Sequence, residues 1–116
     1  MVTVRDVVER LPVKVVAGDR RLSREITSGY VGDLLSLVMA RAPFGSVWVT
    51  VQGHPNVVAV AVLVGISAII VSEGARIDAA TLEKADQEGI PILSSAATSY
   101  DLVAELSGLG LKGAPL

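Results

Sequence analysis

Cysteine is absent and histidine occurs once, at His54. Disulfides, thiolate nucleophiles and thiolate metal sites are thereby excluded, and no second ligand stands at metal-binding spacing from the lone imidazole. The chain is therefore expected to fold without a metal and without a cofactor. Aromatic residues are nearly as scarce, at 3% against 51% apolar residues, so the core has to be built from Val, Leu, Ile and Ala. A large excess of either charge is missing too. A net charge of −2 with both signs interspersed leaves no footprint for nucleic acid. The one basic cluster, Arg20, Arg21 and Arg24, reads as a solvated loop.

No GxxxxGK[ST] string occurs, so a Walker-type ATPase or kinase has no phosphate cradle. Gly108 to Gly113 matches GxGxxG literally. That fingerprint works only between a strand and a helix, whereas here it follows a predicted helix. The longest apolar run, Val57 to Val71, is interrupted by Gly65 and Ser67 and falls short of the ~20 residues a spanning helix needs. Met1 is followed by Val-Thr-Val-Arg-Asp, without a basic start or a cleavage site. These absences lead to the expectation of a soluble, cytoplasmic protein with no membrane contact.

What is present is enough for one domain. The 116 residues can bury a core without staples. No internal repeat or linker interrupts them, so residues 1–116 are expected to form a single domain, its core about 13–107 and 108–116 a loose tail. Thr3 and Asp6 form a capping-box pattern ahead of Val4, Val7, Val8 and Leu11 at helical spacing, and Pro12 stops that helix. Val13 to Ala17 and Leu22 to Ile26 read as extended pieces around a Gly18-Asp19 turn. Gly29 and Gly32 read as a loosened stretch before a helix from Asp33 to Met39.

From residue 46 strand and helix alternate. Ser46 to Gln52 is a β-branched strand; Asn56 is the expected N-cap of a helix from Val57 to Val64, which Gly65 ends; Ala68 to Val71 is the next strand. Asp78 is expected to cap a helix to Glu88, with Ala79, Leu82 and Ala85 inward and Gly89 as its stop. Ile90 to Leu93 is a short strand whose Pro91 favours a sheet edge, and Thr98 with Asp101 opens a last helix through Leu106. This order implies βαβ units: an α/β fold of three layers, a mostly parallel sheet with helices on both faces.

His54 lies in a Gly53-His54-Pro55-Asn56 turn after a strand, where open parallel sheets place ligands. As a catalyst it would need a nucleophile to activate or a carboxylate to orient it, and the sequence pairs it with neither, although Asp33 or Glu73 could approach in space. The candidate ligand-binding residues are Gln52, Gly53, His54 and Asn56 on one strand end and Ser72, Glu73 and Gly74 on the next; no residue is assigned as catalytic. The reading behind this set is a helix mouth with exposed amides that favours an anion, His54 adding charge when protonated. On it, replacing His54 would spare the fold, while replacing Asn56 would cost a cap. Trp48 reads as core or dimer contact.

"ITSGYVGDLLSLVMARAPFGSVWVTVQGHPNVVAVAVLVGISAIIVSEG", followed by "EKADQEGIPILSSAATSYDLVAEL", resembles the DRTGG domain family over roughly residues 20 to 107, most closely its free-standing bacterial members. Gly53 and His54 stand where that family carries Asp-Arg. Ser72, Glu73 and Gly74 stand where it carries Thr-Gly-Gly, so only Gly74 is retained. The resemblance implies an α/β fold similar to the N-terminal domains of HPr kinase and of the Mur ligases. It also implies an accessory module that dimerises and regulates, without the P-loop kinase chemistry. The expected function is a non-catalytic regulatory or ligand-sensing module binding a small anionic metabolite or nucleotide. A scaffold docking on a partner protein, or a small enzyme using His54, are the alternatives. Leu34, Leu35, Leu37 and Val38 give more apolar surface than a small core hides, so a twofold homodimer is expected with residues about 30 to 50 in its interface.

Overall fold

The computed structural model describes residues 1–116. Its elements, in chain order, are β1 (Val2–Thr3), α1 (Val4–Arg10), β2 (Lys14–Ala17), β3 (Glu25–Ile26), β4 (Ser28–Val31), α2 (Leu35–Arg41), β5 (Ser46–Thr50), α3 (Asn56–Val64), β6 (Ala68–Val71), α4 (Ala79–Glu88), β7 (Ile92–Ser94) and α5 (Ser99–Gly108). Local chemistry sets many of the boundaries. At α1, Thr3 Oγ1 accepts from the Asp6 amide at 3.3 Å, and Asp6 Oδ2 accepts from the Thr3 amide at 2.9 Å, the reciprocal cap that the sequence predicts. Gly65 and Gly89 end α3 and α4 at φ 82° and 69°, a left-handed conformation that costs glycine little.

Five strands form one sheet in the order β2-β7-β6-β5-β4. β4, β5, β6 and β7 run parallel, and β2 joins β7 antiparallel. Alternation along the strands separates two apolar layers. Trp48, Ile69, Val71 and Ile92 pack with Val38 of α2, Val57, Val58 and Ala61 of α3, and Ala85 of α4. Val47, Val49, Ala68, Ile70 and Leu93 pack with Val4 and Val7 of α1 and Leu102 and Leu106 of α5. Hence α2, α3 and α4 cover one face and α1 and α5 the other: the expected three-layer α/β architecture. Trp48 is a core residue, fully buried, its Nε1 donating to the Gly32 carbonyl at 2.9 Å. Each such fully buried large side chain contributes roughly 1.5–3 kcal/mol by leaving water. No helix is long and apolar enough to cross a membrane.

Several expectations are corrected. Ser28 to Val31 is not a loosened stretch but β4, an outer strand of the sheet. The C-terminal segment is not loose through its whole length, because it ties to that strand. Gly29 donates to the Lys112 carbonyl at 2.9 Å, Ser28 Oγ donates to the same oxygen at 2.5 Å, and Leu111 is buried. Pro91 does not mark an edge: β7 lies between β2 and β6, and Pro91 precedes its first residue, offering its carbonyl to the Ile69 amide at 2.9 Å. On α4 it is Thr81, not Ala79, that is buried, since its hydroxyl reaches the Gly53 carbonyl at 2.6 Å. Asp78 holds the N-cap position without a side-chain cap and pairs loosely with Arg76 at 3.9 Å.

Candidate ligand-binding site

The candidate residues stand where the parallel strands end. Gln52, Gly53 and His54 follow β5; Ser72, Glu73 and Gly74 follow β6. Asp33 anchors the first group. Its Oδ1 accepts from Thr50 Oγ1 at 2.8 Å and from the Val51 amide at 2.9 Å, while Gln52 Nε2 donates to the Asp33 carbonyl at 3.3 Å. This carboxylate therefore closes the β5 end against the segment before α2 and makes no hydrogen bond to His54. The backbone at Gly53 is pressed against the segment before α4: a Cβ there would run into the Arg76 carbonyl oxygen, and the Gly53 carbonyl accepts from the Asp78 amide at 3.0 Å. Only glycine fits.

At the start of α3 the sequence expectation fails. The N-cap position belongs to Pro55, which is already helical at φ −53° and ψ −24°, and Asn56 is the first residue of the helix. An N-cap side chain needs an extended backbone to reach forward, and Asn56 has lost it. The capping work falls to His54, whose Nδ1 accepts from the Asn56 amide at 3.0 Å. The next two amides, of Val57 and Val58, go back to the His54 and Pro55 carbonyls at 3.1 and 3.0 Å. The helix mouth is thus mostly closed by its own turn. The amides of Gly53 and His54 donate to nothing within the chain. One chemical consequence follows for His54. An imidazole accepts at Nδ1 only when that nitrogen is bare, whereas the protonated ring donates from both. Capping α3 and supplying positive charge are mutually exclusive states of this ring.

The second group turns the other way. Ser72 donates its amide to Thr50 O at 3.0 Å, and its hydroxyl meets Ser99 Oγ at 2.6 Å. Glu73 and Gly74 donate their amides to Ala97 O at 2.8 Å and Ser95 O at 2.9 Å, and Glu73 Oε2 accepts from the Ser99 amide at 2.8 Å. Glu73 is the one non-glycine residue at positive φ, 62°. No hydrogen bond joins this turn to His54. The candidate residues therefore form two adjacent clusters, one tied to Asp33 and α4, the other to the start of α5. Asp33, Thr81 and Ser99 escaped the sequence reading as organisers because their partners lie 17 to 28 positions away, beyond any local pattern. No group of three His, Asp or Glu side chains is placed to hold a metal ion.

Against known proteins, the model of the DRTGG domain matches residues 6–109. No curated protein sequence matches the chain. Among solved structures it is similar to the CBS and DRTGG domains of the regulatory region of Clostridium perfringens pyrophosphatase, crystallised with its activator diadenosine tetraphosphate. The TM-score is 0.70 at 13% identity, over 86% of this chain and 44% of that one. The likeness at that identity concerns the fold, and the present chain spans less than half of the pyrophosphatase region.

Proposed function

The chain belongs to the DRTGG domain family, and on that premise we propose a non-catalytic regulatory module of one domain that binds a small anionic metabolite or nucleotide in the cytoplasm. The observation that carries this reading is the shared architecture with a regulatory region that holds a nucleotide activator. Support from the site is chemical. Gln52, Gly53, His54 and Asn56, with Ser72, Glu73 and Gly74, line the carboxyl ends of two neighbouring parallel strands, where ligands of open α/β sheets bind. His54 and Gln52 are exposed, and the Gly53 and His54 amides are free to donate. His54 has neither a nucleophile nor a carboxylate as a hydrogen-bond partner, which favours binding over catalysis. A thermal-shift series with mono-, di- and dinucleoside polyphosphates and with phosphorylated metabolites tests the reading. A ligand at a hundred times its Kd adds about 2.7 kcal/mol of stability. No stabilisation by any of them at millimolar concentration would remove the ligand-sensing function.

The same module is proposed to work as a homodimer through α2 and α3. Leu34, Leu37 and Phe44 are 62%, 48% and 76% exposed, and Leu63 on α3 is 73% exposed. After Asn56, α3 has no polar residue, and a helix apolar all round is normally covered on every side. Asp33 before α2 and Arg41 at its end bracket an uncharged run, so an antiparallel twofold crossing sets each Arg41 toward the partner's Asp33. Light scattering of the chain and of Leu37→Glu decides: a monomer at micromolar concentration in the unmodified chain sinks the dimer and leaves that face to a different protein.

A further inference from the structure

The connections on either side of β7 leave the sheet in opposite directions. After β6 the chain turns to α4, on the Trp48 face; after β7 it turns to α5, on the Val47 face. In open parallel sheets a crevice forms at the carboxyl ends of the strands where successive connections part in this way. β4, β5 and β6 all feed helices on one face, so the parting occurs at β6 and β7 alone. A cavity of about 550 Å³ lies at that point. Gly74 and Ala75 line it from the β6 side, Ser94, Ser95 and Ala96 from the end of β7, and Lys14 from the start of antiparallel β2.

Several uncommitted hydrogen-bond donors line it. Lys14 is the only charged residue of the lining and belongs to no ion pair. The Ala96 amide donates to nothing within the chain, and the Ser94 hydroxyl makes no hydrogen bond. Ser95 Oγ is occupied, donating to Pro12 O at 2.7 Å and accepting from the Ala97 amide at 3.1 Å. A Cβ built on Gly74 would meet nothing within 4 Å, so the backbone there borders open space. Two further cavities differ: one, beside β2, sets Asp19 and Asp86 against Arg20, and another, beside β4, is mainly apolar.

We propose that the cavity over the end of β7 holds the phosphate or carboxylate group of the small anionic ligand, Lys14 supplying the charge and Ser94 and Ala96 the hydrogen bonds. The inference rests on the reading above that such a ligand is bound, and it moves the ligand's charge away from His54. The test is an amide NMR titration of the unmodified chain with adenosine diphosphate and, separately, with inorganic phosphate, followed by titration of Lys14→Gln. Expected are concentration-dependent shifts at Gly74, Ala75 and Ala96. Affinity for adenosine diphosphate should fall about tenfold or more in Lys14→Gln, the size of a lost charge-assisted contact. Lys84→Gln, on α4, should bind unchanged. Shifts confined to Gln52–Asn56, with Lys14→Gln binding like the parent, overturn the cavity and leave the ligand-sensing reading standing. No shift with either probe also overturns the cavity, while the wider thermal-shift series decides the function by itself.

Discussion

Replacing His54 by alanine should destabilise the domain although the side chain is exposed. The structure gives the imidazole one intramolecular task, accepting the Asn56 amide at 3.0 Å at the opening of α3. Alanine leaves that amide to water. Little apolar burial is lost with an exposed ring, so the cost is that of a helix cap, about 1 kcal/mol within a range of 0.5–2. For a domain of this size that lowers the melting temperature by about 3–5 °C. His54→Asn keeps a short side-chain acceptor and should recover most of the loss. Asn56→Ala should cost nothing and even gain a few tenths of a kcal/mol, because the Asn56 side chain makes no hydrogen bond and alanine prefers the helix. Differential scanning calorimetry of the three variants reads this out at a pH where the imidazole is neutral. The reasoning is refuted by the opposite order, Asn56→Ala destabilised by about 1 kcal/mol and His54→Ala unchanged.

Gly53→Ala should be among the most damaging single-atom additions, costing about 2 kcal/mol or more in chemical denaturation, because the Arg76 carbonyl and the Ile77 Cα occupy the space of its Cβ. Truncation after Gly108 removes buried Leu111 and the carbonyl shared by Gly29 and Ser28, a loss on the order of 3 kcal/mol; an unchanged denaturation midpoint would refute the tie. Asp6 provides a pH dependence. The Thr3 amide holds its carboxyl below the usual value, so the stabilisation is present above the ordinary carboxylate range and is lost as pH falls through the folded-state value. The melting difference between the parent and Asp6→Asn should therefore be largest near neutrality and shrink by pH 3; a difference that grows in acid would contradict the cap.

The legible parts of this fold are those in which the sequence carries both partners within a few residues. Thr3 with Asp6, the glycines after α3 and α4, the β-branched strand β5 and the continuous apolar strand β6 meet that condition. β4 does not, because its apolar content is diluted by Gly29 and its outer edge is satisfied by Lys112, across the length of the chain. The proline before β7 misled for a related reason: edge status depends on which strand pairs where, and antiparallel β2 arrives from the far end of the sequence to cover β7. At the candidate site, the strand-end location was readable, whereas the grouping was not. Asn56 looked like a cap because its type suits one, but Pro55 starts the helical backbone one residue early and hands the work to the imidazole.

The departures from the family pattern have physical causes that bear on where a ligand's charge would sit. In the Thr-Gly-Gly alignment, glycines stand at 73 and 74, and both positions here have φ 62°. Gly74 needs no compensation. Glu73 costs on the order of 1 kcal/mol more than glycine in that conformation. Its carboxylate offsets this by accepting the Ser99 amide, and its own amide is held by Ala97 O. The turn has become a clamp between β6 and α5. At the other motif, the Arg76 carbonyl fills the space that an aspartate side chain at 53 would need, and the imidazole at 54 spends its acceptor on α3. Neither position is left with a committed positive charge. The one uncommitted cation lining a cavity on this rim is Lys14, contributed by the strand that runs against all the others. The site's charge is thus best sought on the β2–β7 side, with His54 retained as the device that fixes the start of α3.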